Sequence, residues 1–184
     1  MDLSEINFAV LVASLIVAST PLVLAALGEL IVEKSGVLNL GVEGMMIIGA
    51  VTGFIVGVET GSAYIGMLAA AVAGALLSML FAFIILIMQA NQVASGLALT
   101  IFGLGIAALM GHPYTGIKSP QISTISIPFI SEIPILGTMF FQHDLIVYLS
   151  LISVLLIWYF LNRMRAGLIL RSVGEDHDVA HSLG

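Results

Sequence analysis

Residues 6–28 read INFAVLVASLIVASTPLVLAALG, and none of these 23 side chains is charged. At 1.5 Å per residue a helix needs about 20 residues to cross the roughly 30 Å of hydrocarbon in a bilayer, so this stretch is long enough to span. A helix on a soluble domain would carry an acid or base every turn or so on its wet face. The stretch therefore reads as a transmembrane helix. Pro21 removes one backbone donor inside it and predicts a kink near residues 18–21. That kink is either an ordinary feature of a membrane helix or a bend that shapes a pathway.

The rest of the chain has the same character. Of its 184 residues 60% are apolar and only 9% are charged, and mean hydropathy is +1.18. Soluble domains run at about 25% charged. Residues 61–93 and 92–117 also lack Asp, Glu, Lys and Arg, and they meet at the polar corner QANQ, 89–92. The expected fold is an all-α polytopic transmembrane bundle with about five spans: 6–32, 38–58, 63–88, 93–110 and 145–161. In the third span Gly66, Ala70, Gly74 and Ser78 recur every four residues, a small-residue face that permits close helix approach.

The second span is the irregular one. Residues 28–44, GELIVEKSGVLNLGVEG, hold three acids, one base and four glycines between apolar tracts. The clean apolar part that follows, 45–58, is too short to cross alone. Either the helix is broken within 36–44, near Gly41 and Gly44, or Asn39 and Glu43 enter the membrane zone. Both options place irregular or polar structure where protein must cover it. Between the fourth and fifth spans, residues 111–144 carry Pro113, Pro120, Pro128 and Pro134 and form a long loop. Within it 122–127 partly alternate like an extended strand, and 134–141 are suited to the interface. Trp158 and Tyr159 anchor the end of the fifth span, and Arg163, Arg165 and Arg171 follow it. The positive-inside rule makes that end cytoplasmic, which puts loop 111–144 outside, the 89–92 corner inside and the N-terminus outside.

Several function classes are disfavoured. Five basic residues against a net charge of −6 give no nucleic-acid footprint. The absence of cysteine removes thiolate chemistry. Asp2 and Glu5 stand where a signal peptide would be basic, so the N-terminus reads as a lead-in to the first span. There is no H-E-x-x-H zinc motif and no P-loop. Ser95 has no histidine in its own span, and His112, His143, His177 and His181 are scattered; the pair His177 and His181 lacks a third metal ligand.

Three places could carry function. Glu29 and Glu33 share a helix face, as do Asn39 and Glu43. A charge near hydrocarbon costs about 2.5–3.5 kcal/mol unless it faces a polar cavity or a partner. The stretch is a substrate pathway on one reading and a headgroup-level loop that packs the bundle on the other. Gln89, Asn91 and Gln92, with Ser95 and Thr100, form an uncharged hydrogen-bonding set that suits a neutral polar solute, or else an ordinary capped corner. In the tail, Glu175, Asp176 and Asp178 open a short helical pattern running to Gly184, either a docking element or a solvated loop.

Residues 20–46, TPLVLAALGELIVEKSGVLNLGVEGMM, together with 89–99, QANQVASGLAL, and 167–175, GLILRSVGE, resemble a known family. It is that of the permease subunits of bacterial ATP-binding-cassette importers for branched-chain amino acids, ribose and nucleosides. The nucleoside or simple-sugar branch is the nearest in look. The family's tail motif, roughly arginine-alanine-valine-glycine-glutamate-asparagine and then alanines and glycine, appears here as RSVGED, 171–176, followed by Ala180 and Gly184: Arg171, Gly174 and Glu175 match it, and Ser172 and Asp176 depart mildly.

The resemblance implies an inner-membrane permease working by alternating access, without enzymatic activity. It implies pairing with a second permease, two ATPase subunits that hold ATP and Mg, and an extracytoplasmic substrate-binding protein. Residues 163–184 would then form the cytoplasmic coupling segment, and 39–44 would lie near the translocation path. The family carries further spans, so these 184 residues look like about the first three-fifths of such a permease. A channel or a non-transporting structural subunit is the alternative.

Overall fold

The first apolar stretch forms helix α1, Phe8–Lys34, which continues through Pro21. The hydroxyls of Ser19 and Thr20 both donate to the Ile16 carbonyl, at 3.0 and 2.9 Å, which satisfies them within the helix itself. The helix ends in a Schellman motif. Gly36 takes φ 84°, its N–H reaches the Glu33 carbonyl at 3.0 Å, and the Val37 N–H reaches the Val32 carbonyl at 3.3 Å. This left-handed position is the reason for glycine at 36.

The structure is a computed structural model and describes residues 8–126 and 136–182. They form two compact units, one holding the residues up to Ile31 and from Ser123 onward, the other Val32–Ile122.

In the second unit, α2 is Val42–Thr60 and α3 is Ala63–Ala82, the latter prolonged by a π-helical turn at Phe83–Ile87. Helix α4, Gln92–Gly111, runs into a 3₁₀ turn at His112–Tyr114. Gly61, at φ 67°, turns the chain from α2 back into α3. The two helices close on small residues. A Cβ on Gly66 would lie 2.5 Å from the Gly53 oxygen, and one on Gly49 would lie 3.3 Å from the Ala70 oxygen. Toward the other end of this seam Leu77, Phe81 and Ile85, four apart, meet Ile48 and Leu99 in a buried apolar cluster. The expected small-residue face is thus in place at Gly66 and Ala70, and a Cβ on Gly74 would come 4.0 Å from the Met45 oxygen. Ser78 is exposed and bonds to its own helix, through the Ala75 carbonyl at 2.9 Å.

In the first unit, the strands β1, Ile125–Ser126, and β2, Gln142–His143, pair antiparallel, with the short helix α5, Leu136–Phe140, between them in sequence. Residues 127–135 of the proline-rich loop lie outside the described residues. Asp144 caps α6, Leu145–Arg163: its Oδ1 accepts the N–H groups of Ile146 and Val147, both at 3.1 Å. Helices α7, Arg165–Glu175, and α8, His177–Ser182, follow.

Five helices are long and apolar enough to cross a membrane: Phe8–Lys34, Val42–Thr60, Ala63–Ile87, Gln92–Tyr114 and Leu145–Arg163. Their outer faces are apolar, with Leu68 at 69% exposure and Ile101 at 72%. Water would penalise such faces and lipid does not. The protein is a multi-pass membrane protein. Its helices begin and end within four residues of the expected spans. The two largest differences are the start of α2, at Val42 because residues 38–41 are not helical, and the end of the fourth crossing helix, at Tyr114 where the expected span ends at 110.

Helix α7 folds back onto the end of α6. A Cβ on Gly167 would overlap the Phe160 carbonyl, and the Arg171 guanidinium donates to Asn162 Oδ1 at 3.2 Å. A methyl at 167 therefore meets fixed backbone. In Gly167→Ala, α7 is expected to lift from α6, and tryptic cleavage after the half-buried Arg171 should quicken about tenfold in detergent micelles, equivalent to about 1.4 kcal/mol of lost docking. An unchanged cleavage rate would show that this contact does not hold the helix.

Candidate functional site

The break between α1 and α2 has a defined shape. Asn39 is 6% exposed, and its Oδ1 accepts the Gly41 N–H at 3.0 Å, an Asx-type turn that aims the chain into α2. Its amide nitrogen lies 3.7 Å from the Met45 sulfur. The Gly41 carbonyl then accepts the Met45 N–H at 3.1 Å, the first bond of α2. Glu43 is exposed in the first turn, where a negative charge suits the positive end of a helix.

This segment lies along α4. The Leu38 N–H donates to Gln92 Oε1 at 2.8 Å, and the Thr100 hydroxyl donates to the Leu40 carbonyl at 2.9 Å. Gly96 lets the backbone in: a Cβ there would be 2.9 Å from the Leu40 nitrogen and 3.0 Å from that of Gly41. One turn on, a Cβ on Gly44 would be 2.7 Å from the Leu99 oxygen, and one on Gly103 would be 2.8 Å from the Gly44 Cα. From Gln92 to Thr100 is eight residues, or about 12 Å along the helix. Four non-helical residues, 38–41, cover that distance. Gly41, the residue before helix α2, packs at the level of Gly96, about 6 Å or one turn along α4 from Gln92. Irregular backbone at such depth needs protein partners, and Gln92, Asn39 and Thr100 provide them for Leu38, Gly41 and Leu40.

The two polar places read separately in the sequence are therefore partly one place. Asn39 and Gln92 both fix the same four-residue segment, and Glu43 follows it by two residues. The other residues sit apart. Asn91 caps α4, its Oδ1 accepting the Ala94 N–H at 3.0 Å. Gln89 is exposed at the corner, with φ 53°. Glu29 is half-buried on α1, in the first unit. Of the tail residues, Arg171 binds Asn162, and Glu175 ends α7. Asp176 caps α8 through the Val179 N–H at 3.0 Å. Gly174 and Ala180 are half-buried on α7 and α8, and Gly184 lies outside the described residues. A groove of about 660 Å³ between α7 and α8 is lined by Ile169, Val173, Asp176, His177, Val179 and His181. Among the described residues no group of three or more His, Cys, Asp or Glu is placed to hold a metal.

Two features were not singled out by sequence reasoning. At the far end of α2, the Tyr114 hydroxyl donates to Glu59 Oε1 at 2.7 Å, tying the ends of α2 and α4 together. Beside it, Pro120 lies over the α2–α3 seam, 3.6 Å from where a Gly57 Cβ would be, and closes part of a groove of about 300 Å³. The only signal for either was an acid at the end of an apolar tract and a proline in a long loop.

The fold and this break can be set against known proteins. The family model for the branched-chain amino acid transport system permease component matches residues 11–184. A putative glucose ABC transporter permease protein of Haloferax volcanii is 38% identical, covering 91% of this chain and 52% of its own length. A guanosine ABC transporter permease protein of Bacillus subtilis is 36% identical, covering 100% and 61%. A nucleoside ABC transporter permease protein of Lactococcus lactis is 33% identical, covering 95% and 59%. The chain thus spans between about half and three-fifths of the length of these relatives. No solved structure matches. With a family model over nearly its whole length and five apolar crossing helices, the chain belongs to the branched-chain amino acid transport system permease component family of membrane proteins.

Proposed function

We propose that this chain is part of the permease subunit of an ATP-driven importer and carries a small polar solute, a nucleoside or a simple sugar, by alternating access. The observation that supports this most directly is the non-helical segment 38–41 held deep against α4 by Gln92, Asn39 and Thr100. A helix that begins inside the bundle points its first-turn N–H groups, which have no partner in their own helix, toward whatever passes there. Glu43, Asn39 and Gln92 line that approach; Gln89 and Asn91, at the corner before α4, and Glu29, on α1, are separate candidates for contact with the solute. The names of the relatives, which refer to glucose, guanosine and nucleosides, support this class of cargo.

The chain makes no covalent change to its solute. ATP and Mg are held by two ATPase subunits, a second permease completes the bundle, and an extracytoplasmic binding protein delivers the solute. On the cytoplasmic side Arg171, Gly174, Glu175, Asp176, Ala180 and Gly184 form the coupling segment that passes ATPase closure to the spans. The close packing of Gly167 on the Phe160 carbonyl at the α6–α7 elbow supports that role, because a loose hinge there would absorb the motion.

The test is uptake of labelled nucleoside or sugar by the full-length permease, reconstituted with its ATPases and binding protein. ATP hydrolysis should rise when loaded binding protein is added, and Glu43→Gln should lower uptake at least tenfold while assembly stays normal. Flux that ignores ATP would make the protein a channel. Normal uptake in both Glu43→Gln and Asn39→Ala would make those side chains packing elements of a structural subunit.

A further inference from the structure

Helix α7 stays against the end of α6. Arg171 lies six residues into the helix, about 9 Å along it, yet still reaches Asn162 in the last turn of α6, and Gly167 rests on the Phe160 carbonyl. The helix therefore crosses the end of α6 at the level of residues 160–162. That level is the interface, because Trp158 and Tyr159, both more than half exposed, directly precede it.

Two properties of α7 fit this position. Ala166, Ile169 and Val173 recur on one face and are exposed, Ile169 at 62%. An exposed apolar stripe at interface level settles into the acyl boundary. Charge is polarised along the chain. From Leu145 to Gly174 there is no acid, while Arg163 and Arg165 flank the bend at Met164 and Arg171 follows. The acids begin at Glu175, with Asp176 and Asp178 after it. An anionic surface attracts the first part and repels the second, so lipid contact would end where α7 ends.

We propose that α7 and the Arg163–Arg165 bend form a binding site for anionic phospholipid, with the arginines on headgroup phosphate and Ile169 and Val173 at the acyl boundary. The residues that test this contact, Arg163 and Arg165, stand outside the coupling residues named above, so the lipid contact and the transport reading can fail independently.

Trp158 is the single tryptophan in these 184 residues and stands five residues, about 7 Å, before Arg163. It reports on the lipid at this site. The chain is reconstituted in phosphatidylcholine vesicles carrying brominated-chain phosphatidylglycerol or, in parallel, brominated-chain phosphatidylcholine as guest. Trp158→Phe gives the background. The anionic guest should quench Trp158 with at least about fivefold higher apparent affinity, the gain expected from one arginine at the headgroups. Arg163→Gln with Arg165→Gln should bring the two guests within about twofold, while Arg163→Lys with Arg165→Lys should keep the preference. Quenching of the Gln variant by the brominated phosphatidylcholine, at the wild-type level, shows that it is inserted normally. Equal quenching by both guests in the wild type would overturn the proposal, and so would a preference that survives in the Gln variant. If the stripe seats a cytosolic protein instead, the first of these results is obtained.

Discussion

Gly103→Leu is expected to drive α2 and α4 apart and to destabilise the bundle by about 3 kcal/mol, at the upper end of what overpacking costs. The side chain would begin 2.8 Å from both the Cα and the carbonyl oxygen of Gly44. Both are backbone, so no rotamer change opens space. The opposing position is equally tight, since a Cβ on Gly44 would meet the Leu99 oxygen and the Thr100 Cα at 2.7 Å. Separation at this point also lengthens the Thr100 to Leu40 hydrogen bond one turn away, now 2.9 Å. Gly105, two residues along the same helix, is the control, because a Cβ there meets nothing within 4 Å. Gly105→Leu should stay within about 1 kcal/mol of the parent and lean to the stable side, since glycine is a poor helix former. The measurement is loss of helical signal as denaturing detergent is titrated against a mild one. Equal midpoints for the two leucine variants would show that α2 and α4 are not in this contact.

The sequence made the spans legible because hydrocarbon thickness imposes a length and forbids charge, and both are visible residue by residue. It also revealed the small-residue seam, since Gly66, Ala70 and Gly74 recur at the helical spacing. Ser78 continues that spacing but not the contact. Helix α2 runs out within one turn of Met45, and its leading residues 38–41 lie on α4 instead. Helix ends were less legible. Helix α1 runs on to Lys34 because Gly36 can close a Schellman motif there, and that geometry depends on hydrogen bonds rather than on hydropathy. Least legible was the pairing of Leu38 with Gln92 and of Leu40 with Thr100. Each joins residues more than 50 positions apart through one backbone group and one side chain. Composition placed polar residues at both sites, but nothing local says that one set serves the other.

That pairing leads to the second large effect. Asn39→Ala removes the acceptor from the Gly41 N–H in a buried setting, a loss of about 1–3 kcal/mol. Thr100→Val removes the donor to the Leu40 carbonyl at similar size and shape, at about 1 kcal/mol. Both losses fall on the same four residues. Once one anchor is gone the segment is partly released, and removing the other should cost less than it does alone. The double variant is therefore expected to fall short of the sum by at least about 0.5 kcal/mol. Uptake in the full-length permease should drop at least tenfold in Asn39→Ala, because the start of α2 is no longer held in one place relative to α4. Asn39→Asp is the sharper probe. It keeps an acceptor for Gly41 but puts a charge where Asn39 is now buried, a step that costs about 2.5–3.5 kcal/mol at the centre of a bilayer. If the segment lines a water-filled path, that cost is largely screened and Asn39→Asp should fold better than Asn39→Ala. If it is sealed in protein and lipid, the order reverses, and the solute must pass elsewhere.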